Sequence, residues 1–433
     1  MPDRSDEAAL SRRTFLKAAG TGLAAAALAG EAARQAGAQA APPVTPPQTP
    51  DTRPIPLPAL NAPTEQRRDP PPLPLPPARR LGVAVVGLGT LALNEIIPAL
   101  GQSKYCKLAA LVSGSPGKAA EVAAQHGIPT RSVYSYGTYD TIRDNPDVDF
   151  VYIVLPNSLH AEYTVRGAKA GKHVLCEKPM ATSQAECRQM IDACRAAGRK
   201  LMIAYRIQYE PNNRYMRQLV QSRQYGPVKV VESVNGQNQG DPDQWRQKKA
   251  LAGGGALPDV GLYCLNTTRF LLGEEPDEVL ARAYSTPGDP RFREVEETVT
   301  WQMRFPSGVQ SNNVTSYGFH EDRRYRVHAA TGWFGMDPAY SYSGLQPMVS
   351  HAEGKVERRE TPRLGEKNQF ALEMDHMAEC ILQDRTPYTP GEEGLQDQRI
   401  MEAIYESARS GRPVKLPTVL TRDTFRGAEP GEG

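Results

Sequence analysis

Asp259 and Tyr263 stand four residues apart, just after the helix-breaking run Gly253-Gly254-Gly255 and at the head of a helical pattern from Val260 to Leu272. Side chains at i and i+4 share one helix face, so the carboxylate and the phenol can point into the same cleft. A tyrosine can take the proton from a substrate hydroxyl if a nearby cation lowers its pKa. Lys178, at the end of an apolar strand pattern and followed by Pro179, is the obvious cation. Such a trio suits oxidation at a hydroxyl-bearing carbon: the proton leaves the oxygen while a hydride leaves the carbon. Asp259 would bind substrate hydroxyls or place the other two. Taken alone, Tyr263 reads better as an aromatic on the core face of a helix, and Lys178 and Asp259 are what favour the chemical reading. Trp245-Arg246 lies in a long polar loop that gives a tryptophan little to pack against, which suits a roof over the same cleft.

A hydride needs an acceptor, and the chain offers a place for one. The apolar run Leu81-Gly82-Val83-Ala84-Val85-Val86 reads as a buried parallel strand. Gly87-Leu88-Gly89-Thr90-Leu91-Ala92 follows at once, then a helical pattern through Ile96, Ile97 and Leu100. This is a GxGxxA dinucleotide fingerprint in its strand–turn–helix setting. Gly87 allows the tight turn, Gly89 lets a pyrophosphate approach the N–H groups of the helix start, and Ala92 lets helix and strand pack closely. The second strand, Lys107 to Val112, ends in Ser113-Gly114-Ser115-Pro116-Gly117-Lys118 with no acidic residue for a ribose 2′-hydroxyl. A serine hydroxyl and a lysine charge suit a 2′-phosphate instead, which points to NADP. Lys118 could also be a solvated residue at a helix start.

Further strand patterns place more polar residues at the ligand-facing ends of the same sheet. Val148 to Leu155 ends in Pro156-Asn157-Ser158-Leu159-His160, His173 to Cys176 runs into Glu177-Lys178-Pro179, and Lys200 to Ala204 ends at Tyr205-Arg206. His160 is as well explained by a structural role at a helix cap. Beyond Arg206 the pattern changes to strands over Val228–Val234, Val279–Tyr284, Thr298–Phe305, Val309–Tyr317 and Tyr325–Ala330, with helices over Phe370–Asp384 and Leu395–Ser410. The fold expected is α/β: a Rossmann doubly wound parallel sheet over 81–206, then an α+β domain with a large open, mainly antiparallel sheet over 207–433. Open sheets of this kind often pair across a subunit interface, so a homo-oligomer, dimer or tetramer, is expected.

The first eighty residues read differently. Ser11-Arg12-Arg13-Thr14-Phe15-Leu16-Lys17 precedes a short Ala/Gly-rich apolar run, and residues 1–40 resemble a twin-arginine signal peptide read by the translocase that exports folded proteins. The run is too short for stable membrane insertion, and the destination expected is the periplasm. Residues 41–80 hold fifteen of the 38 prolines and form an extended arm, either a spacer or a segment laid along a groove. The net charge of +2 gives no bulk attraction to nucleic acid. The six cysteines are scattered without metal spacing, so neither an obligatory disulfide nor a metal is expected.

With Glu177-Lys178-Pro179 placed behind a GxGxxA half, the sequence resembles the glucose–fructose oxidoreductase/inositol dehydrogenase/rhizopine-catabolism family over residues 53–415. The stretches that carry the resemblance are Pro54 to Arg80, Leu155 to Glu162, Cys176 to Thr182, Leu251 to Gly255, Gly273 to Pro276 and Pro390 to Gly394. The resemblance implies Lys178, Asp259 and Tyr263 as the catalytic group. It implies NADP contacts at Leu91, Ser113, Lys118, Tyr136, Leu155, Pro156, Asn157, Ser158, Leu159, His160, Glu177, Lys178, Arg206, Trp245, Arg246 and Tyr342. The activity implied is ping-pong: an aldose is oxidised to its lactone on tightly bound NADP, and a ketose or second aldose is then reduced to a polyol. An alternative within the superfamily is an NAD-dependent glycoside hydrolase, against which Ser113 and Lys118 weigh. Thr90, Pro258 and the stretch Gly318 to Asp322 depart from the family's glucose–fructose pattern and leave the choice of sugar open.

Overall fold

The computed structural model describes residues 79–431; the signal-like segment and all but the end of the proline-rich arm lie outside them. Six strands, β1 (Leu81–Val86), β2 (Cys106–Val112), β3 (Val133–Tyr134), β4 (Phe150–Ile153), β5 (His173–Glu177) and β6 (Leu201–Ala204), form a parallel sheet in the order β3-β2-β1-β4-β5-β6. This is the doubly wound Rossmann order, with a crevice at the strand ends where the order reverses between β1 and β4. Buried on both faces, its main strands are continuous apolar runs, and every residue of β1, β4 and β6 is buried.

The second sheet has nine strands in the order β14-β13-β12-β11-β7-β10-β9-β8-β15. They are β7 (Val228–Gly236), β8 (Glu278–Tyr284), β9 (Thr298–Arg304), β10 (Gln310–Ser316), β11 (Asp322–Ala329), β12 (Gly332–Met336), β13 (Pro347–Glu353), β14 (Val356–Glu360) and β15 (Val414–Lys415). All pairs are antiparallel except β7 with β10. β9 shows the alternation expected of a sheet covered on one face: Val299, Trp301 and Met303 are buried, and Thr300, Gln302 and Arg304 are exposed.

Among the described residues, six longer helices follow the strands in chain order and two more come after the second sheet's β14. α1 is a π-helical turn (Ala92–Ile96) running into Ile97–Gln102, and α2 is Pro116–His126. α3 is His160–Lys169, α4 Gln184–Ala196 and α5 Pro211–Ser222. α6 opens on a second π-helical turn (Leu257–Gly261) and continues as Leu262–Leu272; α7 is Gln369–Leu382 and α8 Gly391–Ser410. The chain returns to its first half at its end. α7 packs on β2, β5 and α1, while α8 touches α4 and β6 on one side and β8 and α6 on the other. One hydrophobic core therefore runs through both sheets, including Val85 and Ile153 of the first with Trp301 and Val327 of the second. The six cysteines are buried and unpaired.

Candidate active site

Each piece of the crevice is positioned by the end of an element. β1 delivers Gly87, whose φ of +100° and close approach to Val154 O admit no side chain. Gly89 is different, because a Cβ added there would meet no atom of the described residues within 4 Å. None of them requires that glycine, so the open space above it suits the pyrophosphate that the fingerprint expects. β2 delivers Ser113, buried, with its Oγ accepting from Ser115 N at 3.1 Å. Lys118, from the first turn of α2, reaches back to donate to Leu88 O at 3.2 Å. Its ammonium thus ties the start of α2 to the turn that follows β1. Tyr136 closes this end: its ring lies against Gly114 and meets Tyr163 edge-on at 5.4 Å.

β5 ends by presenting Lys178. Its Nζ donates to Asp259 O at 2.7 Å and lies 3.4 Å from Asp259 Oδ1, and it stands 4.5 Å from the centre of the Tyr263 ring. The three residues singled out from the sequence meet at one point. Asp259 lies in the π-helical turn that opens α6, and Tyr263 follows in the first regular turn. Asp259 Oδ2 is taken by Arg246 Nε at 3.0 Å and by the Tyr317 hydroxyl at 2.6 Å. Burial alone would lift the Asp259 carboxyl, but Arg246, then Lys178, with the Tyr317 hydroxyl, hold it well below the usual carboxylate range. Asp259 is therefore an ionised anchor for two cations. Burial also opposes the charge on Lys178, and the surrounding Tyr263, Asp259, Glu177 and Tyr342 more than offset it, raising its pKa.

Arg206 enters from the turn after β6. It donates to the Tyr263 hydroxyl at 3.0 Å, to Tyr340 O at 2.7 Å and to Gln369 Oε1 at 2.5 Å. The guanidinium also stacks 4.7 Å from the Tyr342 ring, which remains 47% exposed at the mouth. Arg246 stacks on Trp245 at 4.5 Å, so the pair in the polar loop reaches the cleft through Arg246. Not every expected contact faces the crevice. His160 is fully buried, with Nδ1 2.8 Å from Pro179 O and Nε2 2.9 Å from Leu155 O. It braces the β4 and β5 end loops together. Asn157 turns away to donate to Ala252 O at 2.8 Å, and the Glu177 carboxyl points into the core toward Tyr152. From that segment Pro156, Ser158 and Leu159 keep partly exposed surface, as does Leu91 of the fingerprint.

Several residues that shape the site were not singled out in the sequence: Tyr317, Tyr340, Gln369 and Glu296. Glu296 is half-buried and accepts from Gly255 N at 2.8 Å, Leu257 N at 3.0 Å and Tyr405 Oη at 2.9 Å. It fixes the start of α6, where a Cβ on Gly255 would collide with Glu296 O. Among the described residues no group of three or more His, Cys, Asp or Glu side chains could hold a metal ion, and no helix is long and apolar enough to cross a membrane.

Against known families, residues 81–205 match the oxidoreductase family with an NAD-binding Rossmann fold, and residues 217–416 match that family's C-terminal alpha/beta domain. The chain belongs to the Gfo/Idh/MocA oxidoreductase family. Within the family it is 48% identical to the aldose-aldose oxidoreductase of Caulobacter crescentus, whose crystal structure with glycerol superposes with a TM-score of 0.76 over 78% of this chain and 100% of that one. It is 32% identical to an NADP(+) D-xylose 1-dehydrogenase of Haloarcula marismortui, over 77% of this chain and 92% of that protein. A D-xylose 1-dehydrogenase (NADP(+)) of Haloferax volcanii is 30% identical, over 77% of this chain and 98% of the relative. The fingerprint turn and the ends of β1, β2, β4 and β5 all fall within the part of the chain that matches the NAD-binding Rossmann model.

Proposed function

We propose that the protein is a periplasmic sugar oxidoreductase that keeps NADP bound, oxidises an aldose to its lactone, and then reduces a ketose or second aldose to a polyol. The observation that carries this reading is the meeting of Lys178, Asp259 and Tyr263 beside the dinucleotide crevice. The 48% identity with an aldose-aldose oxidoreductase, over all of that chain, supports a sugar as both donor and acceptor. Ser113 and Lys118, in place of a carboxylate at the β2 end, support NADP. The paired Arg12-Arg13 ahead of an apolar run supports export in the folded state. Away from the cytoplasmic pool, an enzyme must carry its cofactor and recycle it in place.

Bound NADP supplies the hydride acceptor and, once reduced, the donor. The chain's own residues manage the proton. Tyr263 Oη exchanges it with the sugar hydroxyl while Arg206 donates to the same oxygen. Lys178 orients the sugar oxygen from beneath the ring, and Asp259, saturated by Lys178, Arg246 and Tyr317, keeps that ammonium in place. Trp245, Arg246 and Tyr342 wall the mouth against water.

The deciding experiment is an absorbance spectrum of protein purified without added cofactor. Adding glucose or another aldose should raise the near-ultraviolet band of reduced nicotinamide, and a second sugar should bleach it. Protein that carries no nucleotide, or whose spectrum no aldose changes, would refute the reading. Tyr263→Phe should retain fold and cofactor and lose turnover by about 10² or more, the usual worth of a positioned acid–base group; activity within tenfold of wild type would remove Tyr263 from the proton path. Lys118→Ala should weaken NADP by roughly ten- to a hundredfold, or about 1.5–3 kcal/mol for a charge-assisted contact, and leave NAD unchanged. Equal weakening of both cofactors would assign Lys118 to the Leu88 contact alone.

A further inference from the structure

Beneath the cleft lies a group of acids that the proton path above does not use. Tyr152, buried in β4, places its single hydroxyl 2.8 Å from Glu177 Oε1 and 2.8 Å from Glu373 Oε1. Glu177 ends β5 immediately before Lys178, and Glu373 comes from α7, one turn after the Gln369 that binds Arg206. A phenol has one proton and can give it to one carboxylate only. The other carboxyl, at the same distance, must bring a proton of its own, or two lone pairs would face each other in a dry interior.

The surroundings decide which one. Glu373 is 0% exposed, and its Oε2 has no hydrogen-bond partner among the described residues. That is tolerable for the carbonyl oxygen of a neutral acid and costly for a carboxylate oxygen. Glu177 has the Lys178 ammonium on the next residue. The titratable groups that act on Glu373 are Tyr152 of β4, Glu177 of β5, and Arg206 and Tyr209 of the turn after β6. His376, one turn along α7, is held neutral, its pKa pushed down to about 4 by burial and then by Arg385 and Arg214. Tyr209 gives or takes its bond with Thr389 at 2.8 Å. Arg206 is the one cation among them, and its described bonds go to Tyr263, Tyr340, Ser341 and Gln369 rather than to Glu373.

We propose that Glu373 is held as a neutral carboxylic acid that donates to Tyr152, which in turn donates to an ionised Glu177 beneath Lys178. Glu373 and Tyr152 are then positioning residues that set the charge of the floor of the cleft, a role that rests on Lys178 being the cation of the reaction centre. Burial and then the Glu177 charge lift the Glu373 carboxyl well above its ordinary value. Burial raises Glu177 too, but less far: the Tyr152 hydroxyl and Arg206 pull down on both acids, and Lys178 pulls on Glu177 in addition. Ionising Glu373 would add a second negative charge beneath Lys178 and strip Tyr152 of its donor.

The test is infrared difference spectroscopy on the full-length protein at neutral pH, wild type against Glu373→Gln. The wild type should show the C=O stretch of a neutral carboxylic acid that the variant lacks, and Tyr152→Phe should shift that band by removing its acceptor. A Glu373 that contributes only carboxylate bands, or a band that Tyr152→Phe leaves unmoved, overturns the proposal. Neither readout depends on sugar turnover, so a missing activity with the band in place would sink the functional reading alone. The sign of the stability effect follows from a raised folded pKa: the acid's contribution is complete below its ordinary pKa and is lost as pH rises toward the folded value. Glu373→Gln has no proton to lose, so its denaturation midpoint relative to wild type should climb between about pH 5 and about pH 8. The alkaline limb of its kcat/KM profile should lie at higher pH than the wild type's. A midpoint difference that is flat across that range would show that Glu373 is ionised in both folded and unfolded chains.

Discussion

Lys178→Ala should lower both half-reactions, sugar oxidation and sugar reduction, by about 10³, because each passes its proton through one site. The expectation follows from how many tasks the one ammonium performs. It stands 4.5 Å from the centre of the Tyr263 ring and holds Asp259 through both the main-chain oxygen, at 2.7 Å, and the carboxylate, at 3.4 Å. Alanine removes a charge in a site where Lys178 is only 13% and Asp259 only 17% exposed, so water replaces it poorly. Asp259 remains anchored by Arg246 and Tyr317, which is why the loss should appear in turnover and not in folding. Single-turnover absorbance changes with an aldose, and separately with a ketose or second aldose added to the reduced enzyme, measure the two halves. If one half-reaction survives at full rate, Lys178 serves only the other sugar and the shared proton site is wrong.

The sequence exposed the parts of this site that lie at strand ends and little of what lies between them. The dinucleotide half was legible because strands buried on both faces must be continuous apolar runs, and because Gly87 and Gly89 sit between such a run and a helix. The α/β class and the open, mainly antiparallel second sheet were legible from the change to alternating patterns after Arg206. Four of its strands were not. Gly332–Met336 carries two glycines, Val414–Lys415 is two residues long, and Pro347–Glu353 shows no clean alternation. Val356–Glu360 is exposed at every residue, a charged edge strand that no hydrophobic pattern could reveal. The short β3 escaped for its length.

At the site itself, the four-residue spacing of Asp259 and Tyr263 was informative because it is local. Their partners are not local: Tyr317 reaches Asp259 from just after β10, Gln369 reaches Arg206 from α7, and Glu296 holds the start of α6 from the loop before β9. Nothing in a single sequence marks such pairs, since each is an ordinary polar residue until the sheet order brings it to the cleft. The same blindness explains Asn157 and His160. Both sit in a segment that faces the crevice, and both turn out to be satisfied by main-chain carbonyls behind it. A polar residue at a strand end is positioned to reach a ligand, but the protein's own unsatisfied carbonyls compete for it.

Arg269→Ala should destabilise the protein by about 3–5 kcal/mol, the range expected when one partner of a buried ionic group is removed. Arg269 is fully buried on α6, six residues beyond Tyr263, and its guanidinium reaches Glu275 at 2.7 and 2.8 Å, Glu393 at 2.8 Å, and Asp397. Arg426 completes the group by donating to Glu393 at 2.6 Å and to Asp423 at 3.0 Å. Such a network, compared with an apolar replacement, need not stabilise at all. Losing one cation is a different matter, because Arg426 bonds to Glu393 and not to Glu275 or Asp397 among the described contacts, and the site is closed to water. The three carboxyls would take up protons, so the deficit should grow with pH: carboxyls with raised folded pKa values contribute stability at low pH that is lost as pH rises through them. Asp397 already lies at about 6 in the intact protein, where burial outweighs the pull of Arg269. Arg269→Lys should not rescue the loss, since one ammonium cannot reproduce a planar fork that serves three carboxyls. Denaturant unfolding of both variants at about pH 6 and about pH 8 measures this. A loss below about 1 kcal/mol, or full rescue by lysine, would mean that Arg426 and the amides of Gln208 and Asn266, which also reach Glu393, carry the network without it.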